Sequence, residues 1–252
     1  MIKIIGCKNE KEVAERSAEL IAKKIKEKPD ITLALATGSS PLGMYKELVK
    51  KNKSGEISFK NVKTVNLDEY VGLAPENDQS YRYFMNANLF NHVDIDIKNT
   101  ALPSGIALDP EKETKRYDKV IAEYGGIDLQ VLGIGNNGHI GFNEPSDCFS
   151  KTTQHVKLTE STIEANSRFF KSRKEVPTHA LTMGIGQIMA AEEIILIALG
   201  KGKASILQTA LFGEVTPRVP ASILQFFKGL VLVYADEDAL SVIKKTHPDS
   251  IA

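Results

Sequence analysis

The fold is decided by a stretch near the middle of the chain, Ile127-Asp-Leu-Gln-Val-Leu-Gly-Ile-Gly-Asn-Asn-Gly-His-Ile-Gly-Phe-Asn-Glu-Pro145. Its apolar first part, residues 127–132, has the length and composition of a buried strand. Four glycines in the second part allow sharp turns and close approach to a ligand, while His139 and Glu144 bring a proton carrier and a carboxylate into the same loop. A Gly-rich turn whose histidine caps a neighbouring element has the same pattern, so this stretch alone leaves the function open.

Apolar runs and amphipathic segments alternate on both sides of this stretch. The apolar runs predict strands at 2–6, 31–36, 62–67, 127–132, 178–183, 194–199 and 230–234. Apolar residues at helical spacing predict helices at 10–28, 42–49, 79–90, 111–124, 187–191, 203–212 and 236–243. This alternation predicts an α/β protein with a doubly wound, mostly parallel open sheet and helices on both faces, of the Rossmann-like kind. Without a linker or repeat, the whole chain, 1–252, is expected to form a single domain.

Composition excludes several classes of function. Lysine and arginine total 32, equal to aspartate and glutamate, so no overall field favours nucleic acid or an anionic membrane as partner. Cys7 and Cys148 have no zinc-ligand spacing and are expected to be free thiols in a reducing compartment. The chain shows neither a signal-peptide pattern nor an apolar run of membrane-spanning length. These features predict a cytoplasmic protein.

Two segments have the character of an anion site. Thr37-Gly38-Ser39-Ser40 joins the strand at 31–36 to a helix, and backbone amides at such a junction suit a phosphate. Ser40 before Pro41 is equally the pattern of an ordinary helix N-cap. Lys203 begins a helix against the preference of the helix dipole, which a bound anion would explain, although a surface lysine is the alternative.

Acidic and polar residues mark two further places. Asp68 and Glu69 directly follow the predicted strand at 62–67, and ligands of open α/β sheets bind outside the carboxyl ends of strands. Acidic pairs in such positions also cap helices. The polar segment 146–177 is either a lid over the site or a solvated excursion.

Taken together, these motifs resemble those of glucosamine-6-phosphate deaminases. The resemblance rests on five segments in the family's order, namely 36–41, 67–73, 133–145, 165–170 and 199–203. It implies conversion of glucosamine 6-phosphate and water to fructose 6-phosphate and ammonia, without a metal or an organic cofactor.

The resemblance also implies roles for individual residues. Asp68 corresponds to the base that moves a proton from C2 to C1, and a carboxylate at a strand end is rigid enough for this task. His139 corresponds to the group that opens the sugar ring, with Glu144 orienting it and Asn137 beside it. The phosphate-binding positions are Thr37, Gly38, Ser39, Ser40, Arg168 and Lys203.

The chain departs from the family in two respects. Asn137 stands where many members have aspartate, which predicts retained activity with an altered pH profile, because an amide orients an imidazole but supplies no charge. The chain also looks shorter at its C-terminus than the hexameric, allosteric members, and Gln154 and Val156 replace their basic residues. We therefore expect a monomer with hyperbolic kinetics.

Three alternatives remain open. In 6-phosphogluconolactonases, which have a similar fold, arginine normally follows the acidic pair where this chain has Tyr70, and Asn143-Glu144-Pro145 is missing. Sugar-phosphate sensor modules of transcription regulators carry a helix-turn-helix domain in front, for which a first strand starting at Ile2 leaves no room. A deaminase or isomerase for a related phosphorylated amino sugar or ketose is the third alternative.

Overall fold

A computed structural model describes residues 1–167 and 170–252 and contains two β-sheets within them. The strands are β1 (Ile2–Cys7), β2 (Thr32–Leu35), β3 (Lys63–Asn66), β4 (Asp68–Tyr70), β5 (Thr100–Ala101), β6 (Leu129–Gly133), β7 (Gln154–Lys157), β8 (His179–Thr182), β9 (Glu193–Ala198) and β10 (Leu230–Asp236). The larger sheet has the order β1-β10-β9-β6-β2-β3-β5, and all of its pairings are parallel. The predicted α/β class with a mostly parallel sheet is confirmed.

The helices are α1 (Glu10–Glu27), α2 (Leu42–Lys53), α3 (Tyr81–Asn88), α4 (Pro110–Glu123), α5 (Glu160–Asn166), α6 (Ile185–Ile188), α7 (Ala204–Phe212) and α8 (Ile243–Thr246). Most helices lie between strands of the parallel sheet, whereas α5 lies between β7 and β8 of the second sheet and α8 follows β10. Several begin at a side chain that accepts a hydrogen bond from a first-turn amide, as Asn9, Ser80, Asp109 and Thr159 do. No helix in the described ranges is long and apolar enough to cross a membrane.

The order of strands creates a switch point beside β2. From β2 the chain moves outward to β3 and β5, then returns to the other side of β2 with β6 and continues to β9. Loops that leave neighbouring strands in opposite directions open a crevice at their carboxyl ends, where ligands of such sheets bind. The loops after β2 and β6 therefore face this crevice.

Strands of the parallel sheet carry the core. Leu33, Val131, Ile195 and Val233, on four of its strands, are fully buried. Strands of a parallel sheet that is covered on both faces are expected to be apolar throughout rather than alternating. The continuous apolar runs in the sequence predicted these strands for that reason.

The second sheet was not predicted. It has the antiparallel order β4-β8-β7, with Asp68 opposite Thr182 and Gln154 on the other side of Thr182. The strand predicted at 178–183 exists as β8, but it belongs to this sheet and not to the parallel one. The polar segment 146–177 contains β7 and α5.

The helix predicted at 236–243 is wrong. β10 continues to Asp236, turns follow, and only α8 beyond them is helical. Ala239, Leu240 and Ile243 are fully buried. Their helix-like spacing in the sequence therefore arises because the turns bury these side chains, and not from a helix. Asp236 accepts hydrogen bonds from the amides of Gly200 and Ala239, which stabilises the turn instead of a helix. The short helix predicted at 187–191 begins and ends earlier, as α6.

Candidate active site

The candidate residues meet at the carboxyl ends of four adjacent strands. The loop at 37–41 follows β2, the loop at 133–145 follows β6, and the turn at 200–203 follows β9. Asp68 begins β4 immediately after β3. Because β9, β6, β2 and β3 are neighbours in the sheet, these four segments line one crevice.

Glycines shape the central loop around His139. A Cβ on Gly135 would lie 2.3 Å from the His139 ring, so a glycine is required at that position. The amide of Gly135 donates to the carbonyl of His139 at 2.8 Å, and the amide of His139 donates to Oδ1 of Asn137 at 3.2 Å. Gly138 between them has a φ of +86°, a left-handed conformation that favours glycine. The loop thus fixes the imidazole against its own backbone.

Glu144 is the centre of a small hydrogen-bond network. Its Oε2 accepts from Nδ2 of Asn137 at 2.7 Å, its Oε1 accepts from the hydroxyl of Thr162, and Nδ1 of His139 lies 3.5 Å from Oε1. Burial acts to raise the pKa of Glu144, but the interactions with His139, Thr162 and Asn137 outweigh it and lower that pKa to about 2. Glu144 is therefore ionised at neutral pH beside the imidazole. No hydrogen bond to Nδ1 of His139 is completed by residues 1–167 or 170–252.

Asp68 is buried under the central loop. Its side chain approaches Gly141, where a Cβ would lie 3.5 Å from Oδ2 of Asp68 and 2.9 Å from Oγ1 of Thr182. Only 6% of Asp68 is exposed. Burial raises the pKa of Asp68 well above its ordinary value of 3.8, and the charge of Glu69 raises it further. A carboxyl group with such a pKa has the character of a proton acceptor.

Glu69 has a different environment from its neighbour. Its Oε1 accepts hydrogen bonds from the amides of Tyr70 and Tyr81, and its Oε2 accepts from the amide of Arg82, each at 2.9 Å. Burial raises the pKa of Glu69 to about 7, although these three amides oppose the shift. Glu69 thus caps α3, as the alternative interpretation of the acidic pair predicts for one of its members.

An aromatic cluster beside Asp68 was not identified from the sequence as part of the site. Tyr70 contacts Tyr81, Phe142 and Phe170 with ring centroids 4.8, 5.5 and 5.9 Å apart. Burial raises the pKa of Tyr81 well above its ordinary value, and Tyr70 raises it further, whereas Thr37 acts to lower it. The cluster connects the loop after β2 to the strand of Asp68. The sequence did contain an indication of this cluster, since Tyr70 lies in the segment 67–73 and Phe142 in the segment 133–145.

The structure places the expected phosphate-binding residues Gly38, Ser40 and Lys203 on the loops that line the same crevice. Gly38 has a φ of +87°, in the left-handed region. Ser40 lies close to Gly133, since a Cβ on Gly133 would be 3.9 Å from Oγ of Ser40. The N-cap of α2 is Pro41 and has no side-chain cap, so the interpretation of Ser40 as a capping residue is wrong. Lys203 precedes α7, and its Nζ donates to Oδ1 of Asn136 at 2.6 Å. Arg168 lies outside the described residues.

Cysteines and acidic groups give no sign of a metal centre in the part of the chain that is described. No group of three or more His, Cys, Asp or Glu side chains there is placed to hold a metal ion. Cys7 is buried and Cys148 is exposed, and both are free thiols.

Comparison with protein families decides where the chain belongs. The family described as glucosamine-6-phosphate isomerases/6-phosphogluconolactonase matches residues 8–232. The chain belongs to this family. Its members thus include both of the enzyme types that the motifs left as leading alternatives.

Individual relatives separate these two types. The chain is 50% identical over 243 residues to the glucosamine-6-phosphate deaminase of Clostridium perfringens (strain 13 / Type A), covering 96% of this chain and 100% of the relative. It is 53% identical over 232 residues to the deaminase of Lachnoclostridium phytofermentans, covering 92% and 98%. The structure of a monomeric glucosamine-6-phosphate deaminase superposes with a TM-score of 0.93 at 42% identity, covering 95% and 99%.

Similarity to the lactonases is limited to the fold. The 6-phosphogluconolactonase of Thermotoga maritima superposes with a TM-score of 0.73 at 19% identity, covering 94% of this chain and 100% of the other. The fold is therefore shared across the family, whereas the sequence is much more similar to deaminases.

Proposed function

We propose that this protein is a glucosamine-6-phosphate deaminase that converts glucosamine 6-phosphate and water to fructose 6-phosphate and ammonia. The observation that carries the proposal is the packing of buried Asp68 beneath the loop that holds His139 and Glu144. The reaction needs a base and a ring-opening proton donor in one site, and this arrangement supplies both. About 50% identity to curated deaminases supports the same conclusion.

Ring opening is assigned to His139. The cyclic sugar needs a proton on its ring oxygen while the C1 hydroxyl loses one, and an imidazole can perform both transfers. Glu144 is ionised and 3.5 Å from Nδ1 of His139, so it stabilises the imidazolium and orients the ring. Asn137 acts on both residues, because its side chain donates to Glu144 and accepts from the His139 amide.

Proton transfer and loss of the amine follow in the open chain. As Asp68 removes the proton from C2, the imidazolium of His139 protonates the aldehyde oxygen, which gives an enolamine. Asp68 then returns its proton to C1, which leaves an iminium group at C2. Water adds to that carbon, and the carbinolamine expels ammonia to leave the C2 ketone. The raised pKa of Asp68 suits this work, because a base must both take up and release the proton.

The 6-phosphate is assigned to the loops after β2 and β9. Thr37, Gly38, Ser39 and Ser40 would supply hydroxyl and amide donors, and Ser40 is available for this because it does not cap α2. Lys203 and Arg168 would supply positive charge. The phosphate would then lie at the switch point of the sheet.

The lactonase and sensor alternatives are less well supported. Tyr70, in the position of the lactonase arginine, is part of the aromatic cluster and accepts a hydrogen bond from Asn166. A sensor would not need a buried acid with a raised pKa next to an imidazole and carboxylate pair. Both alternatives are outcomes of the assay described next.

The test is to incubate the purified protein with glucosamine 6-phosphate and to measure ammonia and fructose 6-phosphate together. We expect equimolar products, and we expect Asp68→Asn to lose them. Tight binding of the sugar phosphate without turnover would contradict the proposal and favour a sensor. Turnover of a different phosphorylated amino sugar, with none of glucosamine 6-phosphate, would favour the third alternative.

We also propose that residues 1–252 form one domain that works as a cytoplasmic monomer on a small phosphorylated amino sugar, without nucleic-acid or membrane partners. One apolar core contains residues from Ile4 to Ile243, and β1 pairs with β10, which supports a single domain. The free thiols of Cys7 and Cys148 fit a reducing compartment. The segment 146–177 is proposed as a lid, since its helix α5 contacts Glu144 and Tyr70.

A further inference from the structure

Helix α5 contacts the candidate site through two side chains that the motifs did not identify. The hydroxyl of Thr162 donates to Oε1 of Glu144, and Nδ2 of Asn166 donates to the hydroxyl of Tyr70 at 2.8 Å. Residues four apart lie on the same face of a helix. One face of α5 therefore meets both the carboxylate beside His139 and the strand that carries Asp68.

The direction of the Thr162 hydrogen bond follows from the chemistry of its partner. An ionised carboxylate only accepts hydrogen bonds, so the hydroxyl of Thr162 donates to Glu144, while Oγ1 of Thr162 accepts from the hydroxyl of Thr159 at 3.2 Å. Thr162 is only 5% exposed, and the side chain of Glu144 is 11% exposed. Bulk water cannot easily replace this contact in such a buried place.

The contact determines where Oε1 of Glu144 points. Asn137 holds one oxygen of the carboxylate and Thr162 holds the other, which together define its plane. The oxygen that Thr162 holds is also the one that lies 3.5 Å from Nδ1 of His139. Without Thr162, the carboxylate would be fixed by Asn137 alone and could rotate away from the imidazole.

We propose that Thr162 is a positioning residue that acts through Glu144 to orient His139 for ring opening. The inference rests on the proposed deaminase function, and it adds to the site a residue from the segment 146–177. Because His139 acts in a chemical step and not in holding the phosphate, the contribution of Thr162 belongs to kcat. Displacement of α5 would have a different effect, because Arg168, which comes after α5 in the sequence, is proposed to bind phosphate.

The experiment compares three variants by steady-state kinetics with glucosamine 6-phosphate. Thr162→Val removes the hydroxyl at nearly constant shape, and we expect kcat to fall roughly 10-fold to 100-fold with KM within about threefold of wild type. Thr162→Ser keeps the hydroxyl and should retain kcat within about threefold. Asn166→Ala breaks the other contact of α5, so it reports docking of the helix and should affect mainly KM.

Two controls make the result decisive. Thr209→Val in α7 removes a hydroxyl that donates to a helix carbonyl away from the site, and it should behave as wild type. Thermal unfolding of every variant checks that the fold is intact.

Three outcomes would overturn the inference. The first is a kcat of Thr162→Val equal to that of wild type. The second is a fall of kcat in Thr162→Ser as large as that in Thr162→Val. The third is a change of both kcat and KM in Thr162→Val that matches the change in Asn166→Ala. An inactive wild type would instead refute the proposed function and, with it, this inference. An active wild type with an equally active Thr162→Val refutes the inference alone.

Discussion

Asp68 and Glu69 are adjacent carboxylic acids that the fold uses in opposite ways. Successive side chains of a strand point to opposite faces, so β4 directs Glu69 toward the first turn of α3 and Asp68 toward Gly141. Both are buried, but three amides donate hydrogen bonds to Glu69 and oppose the rise of its pKa, whereas the charge of Glu69 raises the pKa of Asp68 further. From their sequence position alone, Asp68 and Glu69 could not be told apart as candidates for the base. Their places in β4, which pairs with β8, give them different roles because they point to opposite faces.

At the scale of the residue, we expect Asp68→Asn to stabilise the fold while it abolishes function. A raised pKa means that folding disfavours the charged form, so Asp68 lowers the free energy of unfolding as the pH rises from 3.8 toward its folded-state pKa. The amide stays neutral, and the variant should therefore be more stable than wild type at neutral pH. Its kcat should fall by about 10²- to 10⁴-fold, as for loss of a general base.

Urea unfolding at neutral and at acidic pH measures this effect. The difference in stability should shrink as the pH falls toward 3.8 and vanish well below it, where the wild-type carboxyl is neutral in both states. The exposed Asp78 offers a matched control, and Asp78→Asn should leave stability nearly unchanged. A wild type more stable than Asp68→Asn at neutral pH would contradict the expectation.

Asn137 provides a second prediction for a single residue. Its amide donates to Glu144, so Asn137→Asp replaces a donor 2.7 Å from the carboxylate by a negative charge. The pKa of Glu144, now about 2, should rise because it loses a hydrogen bond and gains a like charge. We expect measurable activity in both proteins, and in the variant a loss of activity on the acidic side that begins at higher pH.

The pH dependence of kcat for wild type and Asn137→Asp tests this expectation. Asn91→Asp adds the same charge at an exposed position and serves as the control. Identical profiles for wild type and Asn137→Asp would contradict the expected shift. An inactive wild type whose activity Asn137→Asp restores would show that the amide cannot replace the aspartate expected in many family members.

At the scale of the element, apolar runs predicted six of the seven strands that the structure describes in the parallel sheet, but missed β5 and the antiparallel sheet as a unit. β2, β6, β9 and β10 carry continuous apolar runs because both faces of the parallel sheet are buried. β7 has the sequence Gln-His-Val-Lys and β4 has Asp-Glu-Tyr, so neither contains such a run. Their pairing with β8 joins residues far apart in the chain, which local pattern cannot reveal.

The candidate site shows the same division. The glycines, His139 and Glu144 could be predicted because they lie in one loop after one buried strand. Thr162 and Asn166 could not, because their role depends on α5 reaching Glu144 and Tyr70 across the fold. A hydroxyl or an amide in a polar segment has no sequence pattern that distinguishes a partner of the site from a solvated side chain.

The proposed lid gives a prediction at this scale. A phosphorylated sugar alcohol, which is an open-chain analogue without a reactive aldehyde, should slow tryptic cleavage at Lys171, Arg173 and Lys174. These side chains are exposed, and they follow α5 within the segment 146–177. Lys244 and Lys245 in α8 are exposed outside that segment and should be cleaved equally with and without the ligand. Equal cleavage within 146–177 would count against closure.

At the scale of the whole molecule, we expect a monomer of 27.7 kDa with hyperbolic kinetics. The family resemblance implies that Gln154 and Val156 stand where the allosteric members have basic residues. In this fold both have internal roles, since Gln154 donates to Oδ1 of Asn143 at 3.0 Å and Val156 packs against the apolar cluster around Tyr70. β7 thus presents no cation at these two positions to an anionic activator.

Sedimentation velocity across a range of protein concentrations, with and without glucosamine 6-phosphate, measures the state of association. The described residues expose few large apolar side chains: Ile106 and Leu108 lie in one loop, and Met1, Tyr83, Ile97 and Phe226 come from other segments. Exposed apolar residues that are scattered singly are normal for a monomer, whereas a stable oligomer needs a contiguous patch.

Initial rates plotted against substrate concentration should follow a single hyperbola, because one site on one chain has no partner site to couple with. A stable hexamer or a sigmoidal rate curve would contradict this expectation, and a sigmoidal curve would assign subunit coupling to residues other than Gln154 and Val156.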